Sequence, residues 1–444
     1  MERSIKLKDE KVSKLLLEFS IPAIVGMLVN SLYIVIDRMF IGRVVGAMAI
    51  SGVSLTFPIV IIIMAFSMLI GIGSAATISI RLGQNKKYEA ENILGNALVL
   101  LIAVGIIVTF FGFVFLDPML RSFGATNNTM EYAKQFIEIL LAGSIFQVIG
   151  FGLNNIIRSE GNPKKAMSTM LIGAVSNIVL DFIFIYILKF GIRGAAVATV
   201  ISQAINMIWV LYYFLKGNSM LKITKHNLFL KKDLVMSIFS IGMAPFAMQI
   251  AASLVNVILN RSLGIYGGDL AIGAMGIING IATIVLMPIF GINQGSQPII
   301  GFNYGAKLYS RVKEALKLAI IAGTAIATAG ALSVHIFPYL LVSFFNKFDM
   351  NLTKITVNGI KIFMLMYPIV GFQVVSSNYF QAIGKAKISM FLALLRQVIV
   401  LIPLIMLLPK IFGLNGVWIA APISDIVSSV LTAVFLFIEV KKLN

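Results

Sequence analysis

Twelve apolar segments, each long enough to cross a lipid bilayer, constrain this chain more than any other feature. They fall at about 19–41, 53–78, 93–116, 136–157, 167–188, 194–215, 236–260, 270–292, 316–341, 359–380, 388–408 and 414–438. A spanning helix needs about 20 apolar residues, and backbone surrounded by lipid must close its hydrogen bonds within a helix or a closed barrel. These runs are too long for strands, so the expected fold is an all-α integral membrane protein with twelve transmembrane helices. Composition agrees: only 12% of residues are charged, where a soluble domain carries about a quarter.

The formal net charge of +18 does not indicate nucleic acid, because the basic residues form no continuous face. They are scattered through short connections between apolar runs. Counted by side, 24 of the 36 Lys and Arg lie on the side of the N-terminus, among them Lys6, Lys86, Lys164, Lys222, Lys313 and Lys441. The positive-inside rule then places both termini in the cytoplasm of a multi-pass plasma (inner) membrane protein. The charged N-terminal stretch runs into a full-length span, unlike a cleavable signal. With no cysteine, the chain offers no disulfide, thiolate metal site or cysteine nucleophile, and His226 and His335 are too few for a histidine metal cluster.

The most polar connector lies near the middle, and self-similarity runs across it. Ser20-Ile21-Pro22 answers to the stretch Ser240 to Pro245, and Asp37-Arg38 to Asn260-Arg261, at an offset of 223. Leu82-Gly83 answers to Tyr304-Gly305, and Gly191-Ile192-Arg193-Gly194 to Gly413-Leu414-Asn415-Gly416, at an offset of 222. The expected organisation is an N-terminal six-helix lobe at 1–220, a cytoplasmic linker at 221–235 and a C-terminal six-helix lobe at 236–444. Six crossings return the chain to the same side, so the copies keep one orientation, as in the parallel repeats of secondary transporters.

Ionisable side chains at bilayer depth are costly, about 2.5 kcal/mol or more each on insertion scales, and point to function. Spans 5 and 6 turn near Phe190, so Asp181 and Thr199, each nine residues away, share a depth. Asn177 lies one turn before Asp181 on the same face, and Asp37 near the outer end of span 1 has a compatible depth. Two carboxylates with an amide and a hydroxyl suit a hard cation such as sodium, or a held proton. The plainer reading of Asp37 is an interfacial residue paired with Arg38 or Arg43. In spans 11 and 12, Arg396 and Asp425 share a depth and are read as a structural ion pair. The repeat places Gln203 opposite Asp425 and nothing charged opposite Arg396. The run Gly71-Ile72-Gly73-Ser74-Ala75-Ala76 in span 2 permits close helix approach. It is no phosphate loop, and no Walker motif occurs, so no ATPase partner is expected and transport would draw on an ion gradient. The 22 methionines and 32 phenylalanines suit helix packing and lipid contact, or an adaptable apolar cavity.

Five features together resemble the multidrug and toxic compound extrusion (MATE) family, in its prokaryotic DinF-like branch: the six-plus-six repeat, Ile21-Pro22 through Asp37, Arg158 to Pro163, Asn177 to Asp181, and Gly191 to Ala196. The resemblance implies a V-shaped pair of lobes around a central cavity. It implies an antiporter, not an enzyme, that exports amphipathic or cationic drugs in exchange for protons or sodium ions, with no other cofactor. The family's coupling positions match Asp37, Asn177, Asp181 and Thr199, and a span 4 asparagine would be Asn154, with Asn155 adjacent. Where another branch carries acids in spans 7 and 10, this chain has Asn256, Asn260, Gln373 and Asn378, which argues against a cation site in the C-terminal lobe. Partners would be small organic substrates and membrane lipids around a monomer. The alternative is a flippase for lipid-linked oligosaccharides, although its expected basic cavity lining is missing apart from Arg396.

Overall fold

The computed structural model describes residues 2–44, 47–346 and 349–443, without the side chains of a few residues that include Arg38 and Arg43. The proposed pairing of Asp37 with either arginine therefore lies outside what is described. Among the described residues the fold is all helix, with no strand. Among the described residues nine helices are long and apolar enough to cross a membrane, and two further spans are bent helix pairs. The longest helix, Lys232–Gly305, breaks at Gly268, where φ is 66° and ψ is −166°, and so contributes two spans. Twelve spans result, as the sequence pattern required.

The bent pairs are spans 4 and 10. Thr129–Ala142 meets Ser144–Ser159 at 56°, and Met350–Phe363 meets Tyr367–Ala382 at 54°. The apolar windows at 136–157 and 359–380 run across both breaks without marking them. Gly143 breaks span 4, and residues 364–366, some 222 positions later, break span 10.

Duplication is written into the backbone as well as the sequence. Positive-φ residues recur at the repeat interval: Asn85 with Lys307, Gly161 with Gly384, and Gly191 with Gly413. Left-handed backbone is disfavoured for residues with a Cβ, so its return at a lysine, Lys307, reflects inherited turn geometry rather than local preference.

The chain divides into two compact units, and a single cut at the linker does not separate them. One unit holds the chain up to Glu10 with Val25–Phe246, and the other holds Lys11–Ile24 with everything from Ala247 onward. Spans 1 and 7 each divide between the units, two residues after Pro22 and one after Pro245. In the first unit the start of span 7 packs on span 2: a Cβ on Gly73 would lie 2.2 Å from the Ile238 carbonyl oxygen, and one on Gly242 1.7 Å from that of Leu69. In the second unit the start of span 1 packs on span 8, where a Cβ on Gly295 would lie 2.7 Å from the Ser20 amide nitrogen. Gly73 and Gly295 are repeat equivalents, and Ser20 and Gly242 lie in the equivalent spans 1 and 7. The close approach foreseen for the Gly71–Ala76 run is thus made on two sides, since Gly71 also abuts Gly152.

The connector between the repeats is docked rather than free. Helix resumes at Lys232, inside the 221–235 stretch expected as linker. Asn96 of span 3 donates to the carbonyls of Asn227 at 3.2 Å and Phe229 at 3.0 Å, and accepts from the Lys231 amide at 2.8 Å. The Tyr88 hydroxyl and His226 Nε2 lie 2.8 Å apart. At its other end the connector is held by Glu160, a buried carboxylate that accepts from the Tyr213 hydroxyl, from Ser219 Oγ at 2.7 Å and from the Met220 amide at 3.0 Å.

Candidate ion site in the first half

Span 5 is helical from Pro163 to Asp181 and then widens into a π-helical turn over Phe182–Ile187. Such turns are rare and recur at functional sites. Lys189 and Gly191, both with positive φ, reverse the chain into span 6. The reversal brings the two depth-matched residues together: the Asn177 amide donates to Thr199 Oγ1 at 3.4 Å, and the Thr199 hydroxyl donates to the Ala195 carbonyl at 3.0 Å. Asn177 and Asp181 are both buried.

Span 1 lies alongside span 5 in register. Gly26 abuts the Met170 sulfur, and the rings of Phe40 and Phe182 meet edge to face at 6.5 Å. Asp37 and Asp181 each follow the first contact by eleven residues, so the carboxyl groups come to one height on facing helices and stand beside each other. Tyr33, one turn before Asp37, stands beside both. Sequence reasoning passed over Tyr33, although its spacing of four from Asp37 puts it on the same helix face.

The chemistry of this cluster is lopsided. Both carboxylate oxygens of Asp181 and the amide oxygen of Asn177 are buried without a donor among the described residues. Acceptors face acceptors, which low dielectric tolerates only with a positive charge beside them. Asn154 does not join them. Its amide donates to the Ala166 carbonyl at 3.1 Å and its oxygen accepts from Arg158 at 3.1 Å. Ala166 lies eleven residues before Asn177, about 16 Å along the helix. Asn155 is turned back onto the Phe151 carbonyl.

In the second half, Arg396 Nε donates to Asp425 Oδ1 at 2.7 Å, so the two depth-matched charges do meet. Asn256 donates to its own helix at Ala252, Gln373 to Ser377 and Asn378 to the Asn293 carbonyl. Gln203, the counterpart of Asp425, donates to Gln147 at 3.4 Å.

A family profile described as MatE matches residues 22–183 and again 245–407. The chain belongs to the MATE family. The two matches start 223 residues apart, the interval of the internal repeat. The multidrug export protein MepA of Staphylococcus haemolyticus (strain JCSC1435) is 27% identical over 416 residues, covering 94% of this chain and 91% of that protein. MepA of Staphylococcus aureus (strain MSSA476) is 27% identical over 423 residues, covering 93% and 92%. Among solved structures, the outward-facing conformation of a multidrug resistance MATE family transporter superposes with a TM-score of 0.94 at 26% identity, over 99% and 98% of the two chains. The MATE multidrug transporter DinF-BH superposes at 0.91 with 40% identity, over 97% and 96%. The higher identity to DinF-BH is in keeping with the DinF-like resemblance. This MATE chain is thus a multi-pass membrane transporter and not an enzyme.

Proposed function

We propose that the protein exports amphipathic and cationic organic compounds in exchange for protons or sodium ions that enter at Asp37, Asn177, Asp181 and Thr199. The observation behind this reading is the surplus of buried acceptors around Asp181, three oxygens that no donor reaches among the described residues. A proton on either carboxyl or a sodium ion among the four oxygen-bearing side chains would balance it. Sodium favours such hard oxygen ligands. Binding would pull the outer part of span 1, which carries Tyr33 and Asp37, against spans 5 and 6. Release would loosen that packing, so ion occupancy would set the position of span 1. Each charge moving inward gains about 2.3 kcal/mol per 100 mV of membrane potential. The names of the MepA and DinF-BH relatives support drugs as the cargo. We also read both termini as cytoplasmic, the membrane as the plasma membrane and the working unit as a monomer.

Efflux of a fluorescent organic cation from proteoliposomes, with sodium and proton gradients imposed separately, tests the reading. One gradient should drive export. Asp37→Asn and Asp181→Asn should each lower the driven rate at least about tenfold, the scale of one lost charge-assisted contact. Normally inserted variants that export at the wild-type rate would remove the site assignment.

A further inference from the structure

The second half holds a charged centre of its own, built on spans 11 and 12, the repeat counterparts of the spans that carry Asp181 and Thr199. A guanidinium and a carboxylate that serve only each other commonly close a two-pronged fork. Here one bond forms, from Arg396 Nε to Asp425 Oδ1. The terminal amino groups of Arg396 have no hydrogen-bond partner among the described residues, and Asp425 Oδ2 is buried without one. The Asp425 side chain is 3% exposed and that of Arg396 24%. The carboxylate therefore backs the guanidinium, whose edge of two terminal amino groups has no partner among the described residues and whose side chain is the more exposed of the two.

What that edge faces follows from depth. Arg396 lies ten residues into a span that runs Ala386–Phe412, about 15 Å from its start and near mid-bilayer. A guanidinium open to hydrocarbon at that depth is strongly disfavoured, so an exposed one belongs to a polar path. The backbone is prepared as well. Arg396 sits in a π-helical segment, Leu395–Leu401, and Ser424 Oγ donates to its carbonyl at 2.6 Å. Span 5 also carries a π-helical turn, starting right after Asp181, at a position that is not the repeat equivalent of Leu395. Each half thus places one charged residue at a π-helical turn beside its last span, negative in the first half and positive in the second.

We infer that Arg396, oriented by Asp425, is a binding site for an oxyanion carried by an amphipathic cargo, a carboxylate or sulfonate on an otherwise aromatic compound. The inference rests on the export reading only in taking the ligand to be cargo, and it is independent of the ion site. It extends the substrate class from cations to zwitterions. Asp425 fixes the guanidinium through Nε, and the two terminal amino groups remain for the two oxygens of the ligand.

The test uses the full chain in detergent at equilibrium, without an ion gradient, and two dyes with one cationic ring system: rhodamine 19, a free carboxylic acid, and its ethyl ester, rhodamine 6G. Fluorescence polarisation reads binding. Arg396→Gln alone would strand the Asp425 charge, so the informative protein is the double variant Arg396→Gln/Asp425→Asn, with its melting temperature recorded in parallel. It should bind the free acid about tenfold more weakly than wild type, the scale of one charge-assisted contact, and the ester within about twofold. Arg396→Lys keeps the charge but not the fork, and should also lose affinity for the free acid. Equal losses for both dyes, or unchanged binding of the free acid, would leave the pair a structural clasp and overturn the inference. Because this readout is equilibrium binding, its failure is distinct from a failure of driven export in the Asp37 and Asp181 variants.

Discussion

Asp181 shows what a single residue can specify. Its position four after Asn177 and nine before the turn at Phe190 is legible in the sequence, and those two spacings fix its face and depth. Its lack of donors is not legible, because that depends on what spans 1 and 6 bring to it. Tyr33 was missed for the same reason, since a tyrosine in an apolar helix is usually packing until a carboxylate is found beside it. Asn154 illustrates the opposite error: its amide is used by Ala166 and Arg158, at the other end of span 5. The proposed ion site also makes a prediction for its hydroxyl. Thr199→Val keeps the shape but loses the hydroxyl, and should raise the ion concentration for half-maximal export about tenfold, with Thr199→Ser restoring it. Ion dependence of transport, measured across a concentration series, checks this.

At the scale of elements, the repeat interval recovered from a few sequence landmarks reappears in backbone conformation and in helix contacts. The glycine at the start of spans 6 and 12 is required by its left-handed φ of 60° and 57°. Gly413→Ala should therefore lower stability by about 1 kcal/mol or more, seen as a fall in melting temperature. Gly242 is constrained differently, by the Leu69 carbonyl against which any Cβ would press. Gly242→Val should force spans 2 and 7 apart and lower the yield of folded protein far more than Gly413→Ala, as size-exclusion chromatography after solubilisation would show. The bends in spans 4 and 10 escaped the sequence reading because hydropathy averages over a window and a break of one to three residues leaves that average unchanged.

For the molecule as a whole, the connector between the repeats behaves as part of the first unit. Asn96 holds it through three main-chain groups, and leaving these without partners costs about 1–3 kcal/mol each if they stay buried. Asn96→Ala should release the segment and speed tryptic cleavage between Lys222 and Lys232, followed by limited proteolysis of the purified protein. Orientation can be checked directly, because the chain has no cysteine. A single cysteine at Lys442 should react with an impermeant maleimide only in everted vesicles, and one at Lys189 only in right-side-out cells.

The sequence by itself determined the solvent, the number of crossings, the duplication and the depth of each polar residue, because hydropathy, helical rise and chain reversal are local properties that accumulate along one dimension. It did not determine that spans 1 and 7 divide between the two units, that Tyr33 and not Asn154 stands at Asp181, or that Arg396 meets Asp425 through one nitrogen and keeps its free edge. Those depend on which helix faces turn toward which neighbours. In an apolar chain nearly every face is compatible with burial, so only the packed structure, with backbones touching at Gly73, Gly242 and Gly295, selects among them.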